Sequence, residues 1–113
     1  MKHSEKLAGH VSKVTPKTTA NMVNTELYEL ITPEKHGSPF SFNMMKLQPG
    51  GVVKIQAHED QHAVFVHSGT CRILLGEEWV EVETGGFLYI PPNLTHSFEN
   101  VGYVTTEVVI LKL

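Results

Sequence analysis

The sequence has a single cysteine in 113 residues. That excludes a disulfide within the chain and a zinc site built from several thiolates. It leaves Cys71, set among Ile73, Leu74 and Leu75, as an apolar core side chain. Positive charge is scarce as well: nine Lys and Arg stand against twelve Asp and Glu, for a formal net charge of -3. With no basic surplus to neutralise phosphates, nucleic acid and an anionic membrane surface are not expected as partners, and a small neutral or anionic ligand fits better. Long apolar runs are missing too. No stretch reaches the roughly 18 residues of a membrane span, and residues 1–10 lack the apolar core of a secretory leader, so a soluble cytoplasmic protein is expected. Nor is there length for a second domain, since 41% apolar residues in a chain this short suit one modest core.

What the chain does have is a succession of short β-rich runs punctuated by Gly and Pro. Residues 40–47 alternate apolar and polar at Phe40, Phe42 and Met44. Residues 52–56 and 63–67 follow, separated by the charged Glu59, Asp60 and Gln61. Residues 70–75 and 79–82 flank a hairpin signal at Gly76, and residues 87–90, 96–98 and 104–113 complete the series. Residues 32–39, with Pro33, Gly37 and Pro39, and residues 48–51, with Pro49, Gly50 and Gly51, are expected to turn the chain. Residues 22–31 suit either a strand or a short helix, and residues 1–21 an extended arm or weak edge strand ahead of a domain spanning 22–113. Short strands with turn signals at this spacing predict an all-β sandwich or small barrel, whose mouth is the expected place for chemistry.

Histidine stands out within that frame. Gln56 and His58 lie two apart on a strand, so they point to one side, and His62 and His96 sit in similar strand-and-turn settings. Neutral imidazole is the commonest protein ligand for metals, and three of them with an amide oxygen suit a first-row divalent ion. By its spacing alone Gln-x-His-x-x-x-His is also compatible with ordinary polar residues near a turn. His3, His10 and His36 lie in polar segments and are expected in solvent, and His67, opposite in parity to His62, is expected to face outward.

The two stretches resemble the paired motifs of the cupin superfamily, Gly-x5-His-x-His-x3,4-Glu-x6-Gly and Gly-x5-Pro-x-Gly-x2-His-x3-Asn. Gly50, Gln56, His58, His62 and Gly69 fall on the first, and Gly85, Pro91, Asn93, His96 and Asn100 on the second. His62 stands where the motif has glutamate, as in small single-domain cupins whose fourth ligand is histidine. Gln56 replaces the first histidine, and Asn93 replaces a glycine in a turn that asparagine tolerates. The resemblance implies an all-β double-stranded β-helix, a jelly-roll barrel. It also implies a divalent transition metal (Fe, Mn, Ni, Cu or Zn) held by His58, His62 and His96, with Gln56 either a fourth ligand or only nearby.

All four donors are neutral, so a bound ion would keep its charge and attract an enolate or carboxylate. By resemblance, cupins of this kind include dioxygenases, and a metal-dependent dioxygenase-like oxidoreductase acting on a small enolisable or anionic substrate is the leading expectation. Phe42, Met44, Phe98 and Val108 are the candidates for the apolar lining of its substrate site. Glu59, Asp60 and Glu99 all read as solvated, so no acid or base is evident. An isomerase or lyase acting on a sugar or uronate therefore comes second, and a non-catalytic small-ligand-binding module third. Small cupins commonly pair through their sheets, which implies a homodimer.

Overall fold

The computed structural model describes residues 7–113, and His3 lies outside the described residues. Eight strands form one antiparallel sheet that curls into a nearly closed barrel, the jelly roll expected from the motifs. They are β1 (Met22–Ile31), β2 (Ser41–Gln56), β3 (His62–Ser68), β4 (Thr70–Leu75), β5 (Glu78–Glu83), β6 (Phe87–Ile90), β7 (His96–Glu99) and β8 (Thr106–Lys112). Their order in space is β5-β4-β7-β2-β8-β3-β6, with β1 alongside β2. Among the described residues no helix is long and apolar enough to cross a membrane.

β2 belongs to both halves of the barrel. Residues 41–47 pair with β8, whereas Val52, Val53 and Gln56 pair with β7. Residues 48–51, expected to turn the chain between two strands, do so as a bulge within one strand that continues around a corner. The strand persists because β1 stays paired with it on both sides, with its own irregularity at Asn24, which has φ 46. A Cβ on Gly51 would come within 2.8 Å of the carbonyl oxygens of Asn24 and Gln48, so the corner closes only around glycine. The buried Asn100 locks it: Nδ2 donates to Leu47 O and Val104 O at 2.8 Å, and its backbone N–H donates to Gly51 O at 2.9 Å. The closing asparagine of the second motif thus serves the fold.

Residues 22–31 settle as a ten-residue strand. Residues 32–39 hold one helical turn, α1 (Pro33–His36), rather than a plain loop. Thr32 caps it by accepting from Lys35 N at 3.2 Å, Pro33 suits its first turn, and Gly37 closes it at φ 65. His36 is half-buried as a result, with Nδ1 accepting from Thr32 N at 3.3 Å. His10 and His67 are exposed and Cys71 is buried, as expected. Ahead of β1, a 3-10 turn at Val11–Lys13 and a bridge between Lys17 and Leu27 lay residues of the arm against the barrel.

Alternate residues of β2, β8 and β3 line up across the inner face in three rows. Ser41, Lys112 and His62 form the first, Asn43, Ile110 and Val64 the second, and Met45, Val108 and Val66 the third. The third row is at most 2% exposed and belongs to the core with Val53, Ile73, Ile90 and Phe98. The inner face therefore grades from a polar mouth to an apolar floor.

Candidate metal centre

The three motif histidines come from separate elements that the sheet brings together. His58 sits in the loop after β2, His62 opens β3 and His96 opens β7. Their ring centroids are 5.6 Å (His58–His62), 5.2 Å (His58–His96) and 5.3 Å (His62–His96) apart. One ring nitrogen from each lies within 4.8 Å of the other two. The backbone N–H of Asn93 donates to His58 O, which ties the turn of the second motif to the loop of the first. Asn93 itself takes φ 66, the left-handed conformation expected where the motif has glycine.

The His96 ring is held as a ligand needs to be. Nδ1 of His96 lies 2.8 Å from Leu94 O; a carbonyl can only accept, so Nδ1 carries the proton and Nε2 keeps its lone pair. His62 Nδ1 is buried and has no hydrogen-bond partner among the described residues, an atom that a bound ion or ligand would satisfy. Burial pushes the His62 pKa down to about 4, helped by the neighbouring His96, His58 and Lys112 and opposed by Asp60. Burial likewise lowers the pKa of His58, followed by His96 and Lys112. Both imidazoles are therefore neutral at neutral pH, the state that binds metal. A nitrogen-only set of this kind fits a divalent transition ion.

The family model for the cupin domain matches residues 43–111, well over half of the chain. The chain is a cupin. No curated protein matches its sequence. Solved structures share the fold: a predicted oxalate decarboxylase from Thermotoga maritima is 22% identical, with a TM-score of 0.83 over 92% of this cupin and 96% of that chain. The polyketide cyclase RemF from Streptomyces resistomycificus is 20% identical, with a TM-score of 0.84 over 93% and 77%. A cupin 2 conserved barrel protein from Rhodopseudomonas palustris is 24% identical, with a TM-score of 0.74 over 88% and 69%.

The histidines of this cupin open into a cavity of about 310 Å³. Gln56 lines it too, paired across strands with His96, and its Oε1 accepts from Asn21 Nδ2 at 2.9 Å. Of the four apolar residues expected to line it, Phe98 does, with its ring centroid 6.1 Å from that of His96. Val108, across from Met45, is fully buried in the core and does not line the cavity. Phe42 and Met44 stand on the opposite face of β2, because alternation turns Asn43 and Met45 inward instead. Glu59 is exposed, Asp60 pairs with Lys112 at 3.8 Å and Glu99 with Arg72 at 3.5 Å, so none of the three enters the cavity. Sequence reasoning missed Glu29, Asn43 and Lys112, which do line it. The register with the motif strands places them there, and no local motif announces them.

Proposed function

We propose that this cupin is a metal-dependent oxidoreductase of the dioxygenase type, acting on a small enolisable or anionic substrate. The donor set carries the reading: three imidazoles, two of them held neutral by burial and by their neighbours' charge, with no carboxylate among them. His58, His62 and His96 would hold a divalent ion such as iron, manganese, nickel, copper or zinc, with the amide oxygen of Gln56 as a fourth donor. When bound, such an ion polarises an anionic substrate and gives access to redox chemistry. The chain's own residues would do the rest. Leu94 O holds the His96 ring in place, Met45, Val53 and Phe98 keep water from the inner wall, and Lys112 adds positive charge at the mouth.

A second reading has its own observation. Glu29 lines the same cavity, 3.1 Å from Lys17, and supplies the carboxylate that proton transfer would need. It favours an isomerase or lyase acting on a sugar or uronate, and the similar structures named as a predicted oxalate decarboxylase and a polyketide cyclase weigh on the same side. On both readings the protein is proposed to be a cytoplasmic homodimer. The exposed rings of Phe65, Phe87 and Tyr89 on the outer face of β3 and β6 support the pairing.

Elemental analysis of protein purified without chelator, combined with oxygen uptake on a panel of diketones, tests the proposal. Iron, manganese or copper near one per chain with oxygen uptake supports the dioxygenase. Zinc or nickel with turnover of keto-sugars or uronates and no oxygen uptake favours the second reading. Metal below about 0.2 per chain sinks the dioxygenase and favours a ligand-binding module.

A further inference from the structure

Two polar side chains other than the histidines, Asn43 and Lys112, line the same cavity. Asn43 stands on the inner face of β2, one row below His62, and is 7% exposed. Its Oδ1 is buried and has no hydrogen-bond partner among the described residues. Around it the cavity wall is apolar, with Met45, Phe98 and Ile110. A buried amide oxygen without a donor destabilises a fold, and an apolar side chain of the same shape would pack there without that penalty. The amide therefore calls for an occupant that brings a donor. Lys112, one row nearer the mouth, lines the same cavity, and its carboxylate partner Asp60 is distant at 3.8 Å and partly exposed. Its ammonium is free to exchange that partner for an incoming anion.

We infer that Asn43 and Lys112 together select a small hydroxycarboxylate, with Lys112 taking the carboxylate and Asn43 Oδ1 accepting the hydroxyl proton. Asn43 is paired with Ile110, so it lies diagonally from Lys112 across the β2–β8 pair. Such diagonal positions are about 7–8 Å apart, and a flexible lysine brings its charge within the length of a three- or four-carbon acid. An acceptor-only oxygen requires a donor on the ligand, which a plain carboxylate lacks. A neutral sugar would leave the lysine without an anion. The inference deepens the proposed function and rests on it for the use of this cavity as the substrate site, but the amide and the ammonium are read independently of any metal.

Isothermal titration with lactate against propionate, and with malate against succinate, tests it on metal-loaded protein and on protein stripped by chelator. Wild type should bind the hydroxy member of each pair more tightly. Asn43→Leu should cut that preference about fivefold or more, leave the affinity for propionate and succinate unchanged, and keep or raise the melting temperature. Lys112→Met should weaken both members of a pair alike. Asn43→Ala repeats the test if the leucine variant misfolds. The inference is overturned if wild type shows no hydroxyl preference, or if the Asn43 variants keep it. Metal content measured on the same samples separates the two ideas. An Asn43-dependent preference in protein that takes up no metal sinks the metal reading alone, whereas loaded protein without such a preference sinks this inference alone.

Discussion

The inner and outer faces of the β2–β8–β3 sheet are built from alternate residues of the same strands, yet they differ in kind. Inside, the rows run from Ser41, Lys112 and His62 at the mouth to Met45, Val108 and Val66 at the floor. Outside, Phe42, Phe65, Val109 and Leu111 join Phe87 and Tyr89 of β6 around a shallow apolar depression of about 420 Å³. Asn43, His62 and Thr106 are buried while Phe87 is 80% exposed. In this barrel, then, apolar character is not confined to the inner face, whose mouth is polar while part of the outer face is apolar. The inner face gathers polar groups at its mouth, and the outer face leaves aromatic rings uncovered, as surfaces that meet other proteins do.

The sharpest way to break that comparison is to truncate histidines on opposite faces of β3. His62→Ala should weaken metal binding by at least about a hundredfold, since partners one sphere further out are already worth 10–100-fold. His67→Ala, whose ring is exposed beside Glu107 at 4.0 Å, should leave it unchanged. Competition with a chelating dye measures both, and equal losses would erase the distinction between the faces. Next in size is the outer surface. Phe65→Glu combined with Phe87→Glu should weaken the proposed self-association about thirtyfold or more in sedimentation, with metal content untouched. Dissociation accompanied by metal loss would mean that the two faces are coupled.

Acid should act through the inner-face histidines. The His62 pKa is lowered from 6.5 to about 4 in the folded protein. Between those values the unfolded chain takes up a proton that the folded chain refuses, so the stability associated with neutral His62 is full above pH 6.5 and is lost as pH falls toward 4. Melting temperatures of metal-free protein should drop across that window. His62→Gln should flatten the drop, and the outer-face variant should not alter it. The smallest effect is expected at Gln56, where amide oxygen is a weaker donor than imidazole for late first-row ions. Gln56→Ala should lower metal affinity by about tenfold or less, and unchanged affinity would leave the site with three protein ligands.

Much of this architecture was legible in the sequence. The turn signals at Gly76, Gly85 and Pro91 bound real strands, and the spacing of the two motifs placed His58, His62 and His96 within reach of one another. The side of β2 was not legible. Phe42 and Met44 alternate as cleanly as Asn43 and Met45, and nothing local says that the more aromatic set faces out. The bulge at residues 48–51 and the register shift between Val53 and Gln56 also break any parity carried back from the motif. Residues 48–51 looked like a turn between separate strands because proline and glycine mark bends of every size. Only pairing with β1 and the remote amide of Asn100 makes this one a corner. Glu29, Asn43 and Lys112 were invisible as site residues for the same reason: register with distant strands brings them to the mouth.

The position of β8 bears on how the molecule comes into being. Residues 106–112 fill the gap between β2 and β3, strands that precede them by some forty residues or more. Until that segment emerges during synthesis, β2 and β3 each lack a neighbour, and the row that carries His62 has no centre. Closing so many remote pairings late makes folding slow for a chain of this size. Ion uptake is then expected only after the last strand has inserted. A nick within residues 106–112 should open the barrel and release any bound ion in one event.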